Sequence, residues 1–199
     1  PTQDSLRATS TMSRLPARHP TTVGNPMESI VLGGGCFWCV EGALKGLLGV
    51  SEIVSGYSGG HIDNPTYEQV CGKRTGHAEV VRVTFNPEII GRTTLLEVFF
   101  TCHDPTQLNG QGNDVGPQYR SVVFYADEGQ KEDTEAVIER LADHFSSPIV
   151  TEVKLLTNFF MAENYHQDYF ANNPGNPYCR IVVAPKIAKT RTKHASLYE

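Results

Sequence analysis

Cys36 follows three consecutive glycines, Gly33-Gly34-Gly35, and opens an apolar stripe of helical spacing formed by Val40, Ala43, Leu44, Leu47 and Leu48. A sulfur at a helix start lies beside unpaired backbone N–H groups, which stabilise a thiolate and lower its pKa. Glycines let a ligand approach backbone that a side chain would obstruct. Phe37 and Trp38 come next, and Trp38 is the sole tryptophan. Two rings beside a sulfur can wall a small apolar pocket. A blander reading makes the rings core and Cys36 an ordinary buried thiol. Cys36 and Cys39 also form a C-x-x-C pair, the spacing of dithiol redox sites. Zinc would need two more ligands. Cys71, His77 and His103 qualify by type, but no second close-spaced cysteine pair accompanies the first, so no metal is expected. The glycine run lacks the G-x-G-x-x-G spacing, and no Walker lysine and hydroxyl follow it, which argues against a nucleotide site.

The elements that must position Cys36 can be read from pattern. A short apolar strand, Ser29–Leu32, precedes the glycines, and the helix from Cys36 to Leu48 closes at Gly49. Ile53–Tyr57 is a second predicted strand, and Thr66–Cys71 a helical turn. Ala78–Phe85 alternates and is rich in β-branched residues, so it is a strand. Thr93–His103 is a helix. Asp104–Arg120 is a long loop of Gly, Asn, Gln and Pro, a length more often functional than the average loop. Ser121–Tyr125 is a strand, Lys131–Phe145 a helix, Thr151–Leu156 a strand and Glu163–Ala171 a short helix. Asn172–Tyr178 is turn-rich and is expected to put Cys179 near a mobile surface. The tail from Lys186 is basic and expected to be partly irregular. Strands and helices interleave, giving an α/β or α+β sandwich with helices on one sheet.

The chain has 199 residues, 39% of them hydrophobic, with 17 Lys and Arg against 22 Asp and Glu for a net charge of −5. That suits one globular catalytic domain, expected over 28–185, between a leader at 1–27 and a tail at 186–199. No apolar run approaches the ~20 residues of a membrane span. Mild acidity gives no pull toward nucleic acid. Five cysteines, an odd count, favour a reducing compartment over a secreted disulfide framework, so a cytoplasmic location is expected. The leader carries Arg7, Arg14 and Arg18 but no apolar h-region, so it is not a secretory signal.

The octet Gly34-Gly35-Cys36-Phe37-Trp38-Cys39-Val40-Glu41 resembles the signature of the A-type peptide methionine sulfoxide reductases. The resemblance extends to Tyr67-Glu68-Gln69-Val70-Cys71, to Thr75-Gly76-His77-Ala78-Glu79, and to His103-Asp104-Pro105. It continues through Gln111-Gly112-Asn113-Asp114, Gln118-Tyr119-Arg120-Ser121 and the stretch Ala162–Tyr169, covering about Ile30 to Val183. The resemblance implies an α/β sandwich with a central mixed sheet, a ferredoxin-like core and long irregular segments. It makes Cys36 the nucleophile and Glu79 the acid that protonates the sulfoxide oxygen. Phe37 and Trp38 would hold the substrate's S-methyl group, Tyr67 and Tyr119 would hydrogen-bond its oxygen, and Asp114 would help orient it. Cys179 matches a resolving cysteine, so a Cys36–Cys179 disulfide is expected, with Cys39 as an alternative partner. The implied reaction is thiol-dependent reduction of methionine S-sulfoxide, free or protein-bound. It needs no cofactor, takes thioredoxin as transient reductant, and suits a monomer. His77, His103, Tyr165 and His166 are expected to be structural.

The chemistry is coherent. A sulfoxide oxygen leaves poorly until protonated, so a thiolate attacking that sulfur needs a positioned acid. Glu79 can serve if burial raises its pKa toward neutrality. Two phenols add directed hydrogen bonds without charge. Loss of methionine leaves a sulfenic acid, which condenses with a second thiol to a disulfide that an external dithiol clears.

Overall fold

The computed structural model describes residues 26–199; the leader expected at 1–27 lies almost wholly outside them. Eight strands form in chain order: β1 (Glu28–Gly33), β2 (Val50–Ser58), β3 (Ala78–Phe85), β4 (Gly110–Gln111), β5 (Asp114–Val115), β6 (Val122–Tyr125), β7 (Glu152–Leu155) and β8 (Phe160–Met161). The α-helices are α1 (Phe37–Leu44), α2 (Tyr67–Cys71), α3 (Arg92–Cys102), α4 (Glu128–Leu141), α5 (Tyr169–Asn172) and α6 (Ala184–Lys193). Six strands make one mixed sheet in the order β7-β6-β1-β3-β2-β8, antiparallel except for the parallel β6–β7 pair. Its central order β6-β1-β3-β2, with α1 and α3 as crossovers, is the β-α-β-β-α-β arrangement of a ferredoxin-like core.

Strand alternation divides the core. Ile30, Leu32, Val81, Val83 and Val123 face α1 and α3 in the larger cluster. Val31, Val80, Val122 and Phe124 point the other way, against Leu156 and Phe159. β3 carries the register that matters most, because Glu79 lies across from Tyr57 near its start.

Four expectations need correction. The helix after Cys36 stops at Leu44 rather than Leu48, because Gly46 adopts φ +83° and turns the chain. The Glu163–Ala171 helix is broken into a 3₁₀ turn at Asn164–His166 and the short α5, with Asp168 left-handed between them (φ 52°). Cys179 does not sit on a mobile surface. It is fully buried at the start of a π-helical turn, Cys179–Val183, that runs into α6. The basic tail is not irregular, for α6 packs on α1 and α3. Ile187 is buried against Gly42, and the Tyr198 hydroxyl donates to the Ala43 carbonyl at 2.6 Å. One apolar face was enough to order a segment whose composition reads as polar.

Candidate active site

The glycine run does something other than admit a ligand. A Cβ on Gly34 would lie 2.9 Å from the His103 ring, and Gly35 is left-handed (φ +92°) against Gln111. The run thus lets β1 turn tightly over His103 and deliver Cys36 to the helix start. His103 is bonded to the Phe99 carbonyl (3.1 Å) and the Ser121 hydroxyl (2.7 Å), and burial pushes its pKa down to about 4. It is a neutral structural pillar. His77 is structural too, for its ring contacts the Ile62 carbonyl at 2.7 Å and accepts the Gly60 N–H at 3.0 Å.

Cys36 is the N-cap residue of α1, with extended backbone and no side-chain cap. It is 6% exposed. The expected lowering of its pKa at a helix end does not dominate. Burial pushes the thiol up, helped by its hydrogen bond to Cys39 and by the Glu79 charge, while the Trp38 backbone N–H pulls the other way. Cys39 moves down instead, chiefly through that same hydrogen bond to Cys36 and against its own burial. The two thiols titrate as a pair, so the first proton lost belongs to the pair rather than to either sulfur.

Glu79 is 1% exposed and accepts the N–H of Phe37 at 3.1 Å, one residue beyond Cys36. Desolvation raises its pKa from 4.5 to about 8, so at neutral pH it is mostly a carboxylic acid with a proton to give. Tyr67 and Tyr119 are half-buried, and each phenol is pushed up, first by burial and next by Glu79. Tyr119 also feels Cys36, and Tyr67 feels Tyr119, so both phenols lie near the acid, and Tyr119 near the sulfur. Tyr67 is fixed by a capping box at Thr66 and by its N–H, which donates to Glu163 at 2.8 Å.

The apolar side of the site is a ring cluster. Phe37 packs near Tyr57 (5.8 Å between centroids) and His166 (5.1 Å). Trp38 is half-buried and stacks flat on Tyr169 at 3.6 Å and 5°, with Tyr178 edge-on at 5.9 Å. Its indole N–H donates to His166 Nδ1 at 3.1 Å. Asp114, from the long loop, accepts the Tyr178 hydroxyl at 2.6 Å. The structure therefore gathers Cys36, Phe37, Trp38, Tyr67, Glu79 and Tyr119, and joins Asp114 to them through Tyr178. His166, Tyr169 and Tyr178 belong to the pocket and were not read as such from sequence. Their signal was aromatic density on either side of Asn172–Asn176. Among the described residues no group of His, Cys, Asp and Glu could hold a metal ion.

The family model described as peptide methionine sulfoxide reductase matches residues 28–198. The chain belongs to that family. The MsrA of Haloquadratum walsbyi is 54% identical over 82% of this chain and 94% of that relative. The MsrA of Chromobacterium violaceum is 50% identical over 87% and 99%. Among solved structures, reduced Mxr1 from Saccharomyces cerevisiae is similar at a TM-score of 0.73 and 34% identity, covering 77% of this chain and 89% of that one. Methionine sulfoxide reductase A of Corynebacterium diphtheriae has a TM-score of 0.68 and 34% identity, covering 81% and 85%. Mxr1 has also been solved in complex with Trx2. The fold expectation is met: the reductase has a mixed central sheet with flanking helices. It is an enzyme that reduces methionine sulfoxide with thiols. No helix among the described residues is long and apolar enough to cross a membrane.

Proposed function

We propose that this reductase takes the S-epimer of methionine sulfoxide and is recycled by a dithiol of the thioredoxin class, the kind of partner that Mxr1 has in its complex with Trx2. The observation that carries the assignment of roles is Glu79: a carboxyl kept neutral by burial, facing the Cys36 thiol and two phenols. The sulfoxide methyl enters the wall of Phe37 and Trp38, and its oxygen points at Glu79, Tyr67 and Tyr119. Cys36 attacks the sulfur as thiolate while Glu79 protonates the oxygen. The oxygen leaves with Cys36 as sulfenic acid and methionine departs, so the substrate gains two electrons and Cys36 loses two. A second thiol then displaces water from the sulfenic acid, and an external dithiol reduces the resulting disulfide. In sum, one sulfoxide and two thiols give one thioether, one disulfide and one water.

Cys179 is the proposed resolving thiol. It must leave a buried position to reach Cys36, and the turn-rich Asn172–Asn176 is the natural hinge. A specific observation favours Cys39 for the first bond, since its thiol already contacts Cys36 within one helical turn. The test is stoichiometric. Each sulfoxide epimer is added to prereduced enzyme, and thiols lost and methionine formed are counted. Two thiols per methionine, from the S-epimer alone, are expected. One thiol lost, or equal turnover of both epimers, refutes the scheme. Peptide mapping of the same samples separates Cys36–Cys179 from Cys36–Cys39.

A further inference from the structure

Glu41 ends the motif that begins with Cys36, and the mechanism gives it no task. It lies on α1 three residues after Trp38, on the same face of the helix, and is 3% exposed. A buried carboxyl needs partners. One of its oxygens accepts the Asp168 N–H at 3.0 Å, and the other the Tyr169 N–H at 3.3 Å. These are the N–H groups that open α5, four residues long and too short to hold itself. Asp168, its N-cap residue, is left-handed (φ 52°) and offers no side-chain cap. That backbone is unfavourable for a residue with a Cβ and persists only where surroundings enforce it. Glu41 thus supplies, from another helix, acceptors for two of the backbone N–H groups at this helix start. Lys45, one turn further along α1, pairs with the Asp168 carboxylate and holds the same turn from the solvent side. The residue so placed is Tyr169, whose ring lies flat on Trp38.

We propose that Glu41 is a positioning residue for the methyl pocket: it clamps the turn at Asp168 and Tyr169 so that the Tyr169 ring stacks on Trp38 and fixes the width of the wall. The proposal rests on the reading of Trp38 as the methyl-binding wall. α1 then builds both sides of that wall, Trp38 directly and Tyr169 through Glu41. The nucleophile and its pocket are tied to one rigid element.

Trp38 is the sole tryptophan, so steady-state emission reports the stack in the absence of substrate. In Glu41→Gln one acceptor becomes an NH₂ that opposes a backbone N–H. The expected result is a rise in emission of at least 1.5-fold, as the contacts with Tyr169 and His166 loosen. KM for a methionine sulfoxide peptide should rise about 5- to 20-fold, with kcat at saturation within threefold of wild type. Tyr169→Ala should show a similar rise in KM, and the double variant no further rise, because both substitutions remove one interaction. Should Glu41→Gln fail to fold, Lys45→Ala, which alters an exposed pair, should change emission and KM in the same direction by a smaller factor. Wild-type emission and KM in a folded Glu41→Gln enzyme would overturn the proposal. So would additive effects in the double variant, or an unchanged Lys45→Ala where Glu41→Gln does not fold. Failure of the wild-type enzyme to reduce sulfoxide would instead refute the reductase reading, and the emission change would still decide whether Glu41 sets the stack.

Discussion

Cys36 and Cys102 are both cysteines at helix ends, 6% and 4% exposed, and burial raises both thiols. Their surroundings part them. Cys102 closes α3, donates to the Val98 carbonyl at 3.3 Å and meets the Thr190 side chain; its pKa is pushed up to about 12. No acid faces it. Cys36 faces Cys39, Glu79 and Tyr119, so its proton and the oxygen it receives both have somewhere to go. A low thiol pKa is therefore not what marks the nucleophile in the resting enzyme. Reactivity comes from coupled neighbours: once Glu79 holds its proton, the charge that opposes a Cys36 thiolate disappears.

The sharpest way to break this contrast is substitution of the two sulfurs. Cys36→Ser should lower reduction by at least ~10⁴-fold, since a hydroxyl cannot take up the sulfenic oxidation state. Cys102→Ser should stay within threefold of wild type. Single-turnover thiol loss measures both, and comparable losses would erase the distinction.

Glu79→Gln comes next, with an expected loss of about 10²–10³-fold in the first turnover. Its alkylation by a neutral reagent should remain, because the thiol pair is intact. The same substitution should stabilise the fold. The folded pKa of Glu79 is raised from 4.5 to about 8, so its carboxyl costs nothing below the unfolded value. Stability is then lost as pH rises through the interval up to about 8. The shift corresponds to roughly 3–5 kcal/mol when fully developed. The Tm difference between Glu79→Gln and wild type should be small at pH 4, widen up to pH 8 and level off above. A constant difference from pH 4 to 9 would mean that Glu79 ionises as an ordinary surface carboxyl. This is the cost of keeping an acid loaded in a dry site.

Tyr119→Phe and Tyr67→Phe should each slow the reductase step by about tenfold, less than the acid because the remaining phenol still reaches the oxygen. A full additive loss in the double variant, ~10²-fold, would fit two donors to one atom. No loss in either would leave the oxygen to Glu79 alone.

How much of this was legible in the sequence depends on the range of the interaction. β3 matched its prediction to the residue, because alternation over eight residues is a local signal that the sheet merely confirms. The proposed nucleophile Cys36, its two rings and the proposed acid Glu79 lie in contiguous motifs. The sign of the Cys36 shift was missed. A helix end is visible locally, whereas burial, Cys39 and Glu79 act on the sulfur only after β3 and α1 meet. Tyr169 and Tyr178 were missed for the same reason, since their partners Trp38 and Asp114 lie more than 60 residues away. The burial of Cys179 followed from α6, whose two buried positions, apolar Ile187 and polar Thr190, reveal a buried face only once α1 is there to cover it.

Cys179 lies between the two extremes of the comparison, and the smallest expected effect tests where. Like Cys102 it is buried, with its thiol raised by desolvation and also by Cys39. What separates it from Cys102 is the segment it begins. The Tyr178 hydroxyl is tied to Asp114, and the Tyr178 and Cys179 N–H groups share the Asn176 side-chain oxygen. A π-helical turn follows, a local geometry common at functional positions. Tyr178→Phe removes one hydrogen bond to a carboxylate, worth about 1.5–3 kcal/mol where fully formed and less beside solvent. Opening of the segment should rise accordingly. Modification of Cys179 by a small neutral alkylator should quicken about three- to tenfold, while that of Cys102 stays unchanged, as read by mass spectrometry of the folded enzyme over time. Equal acceleration at both sulfurs would mean that the whole core had loosened, and Cys179 would then be held no differently from Cys102.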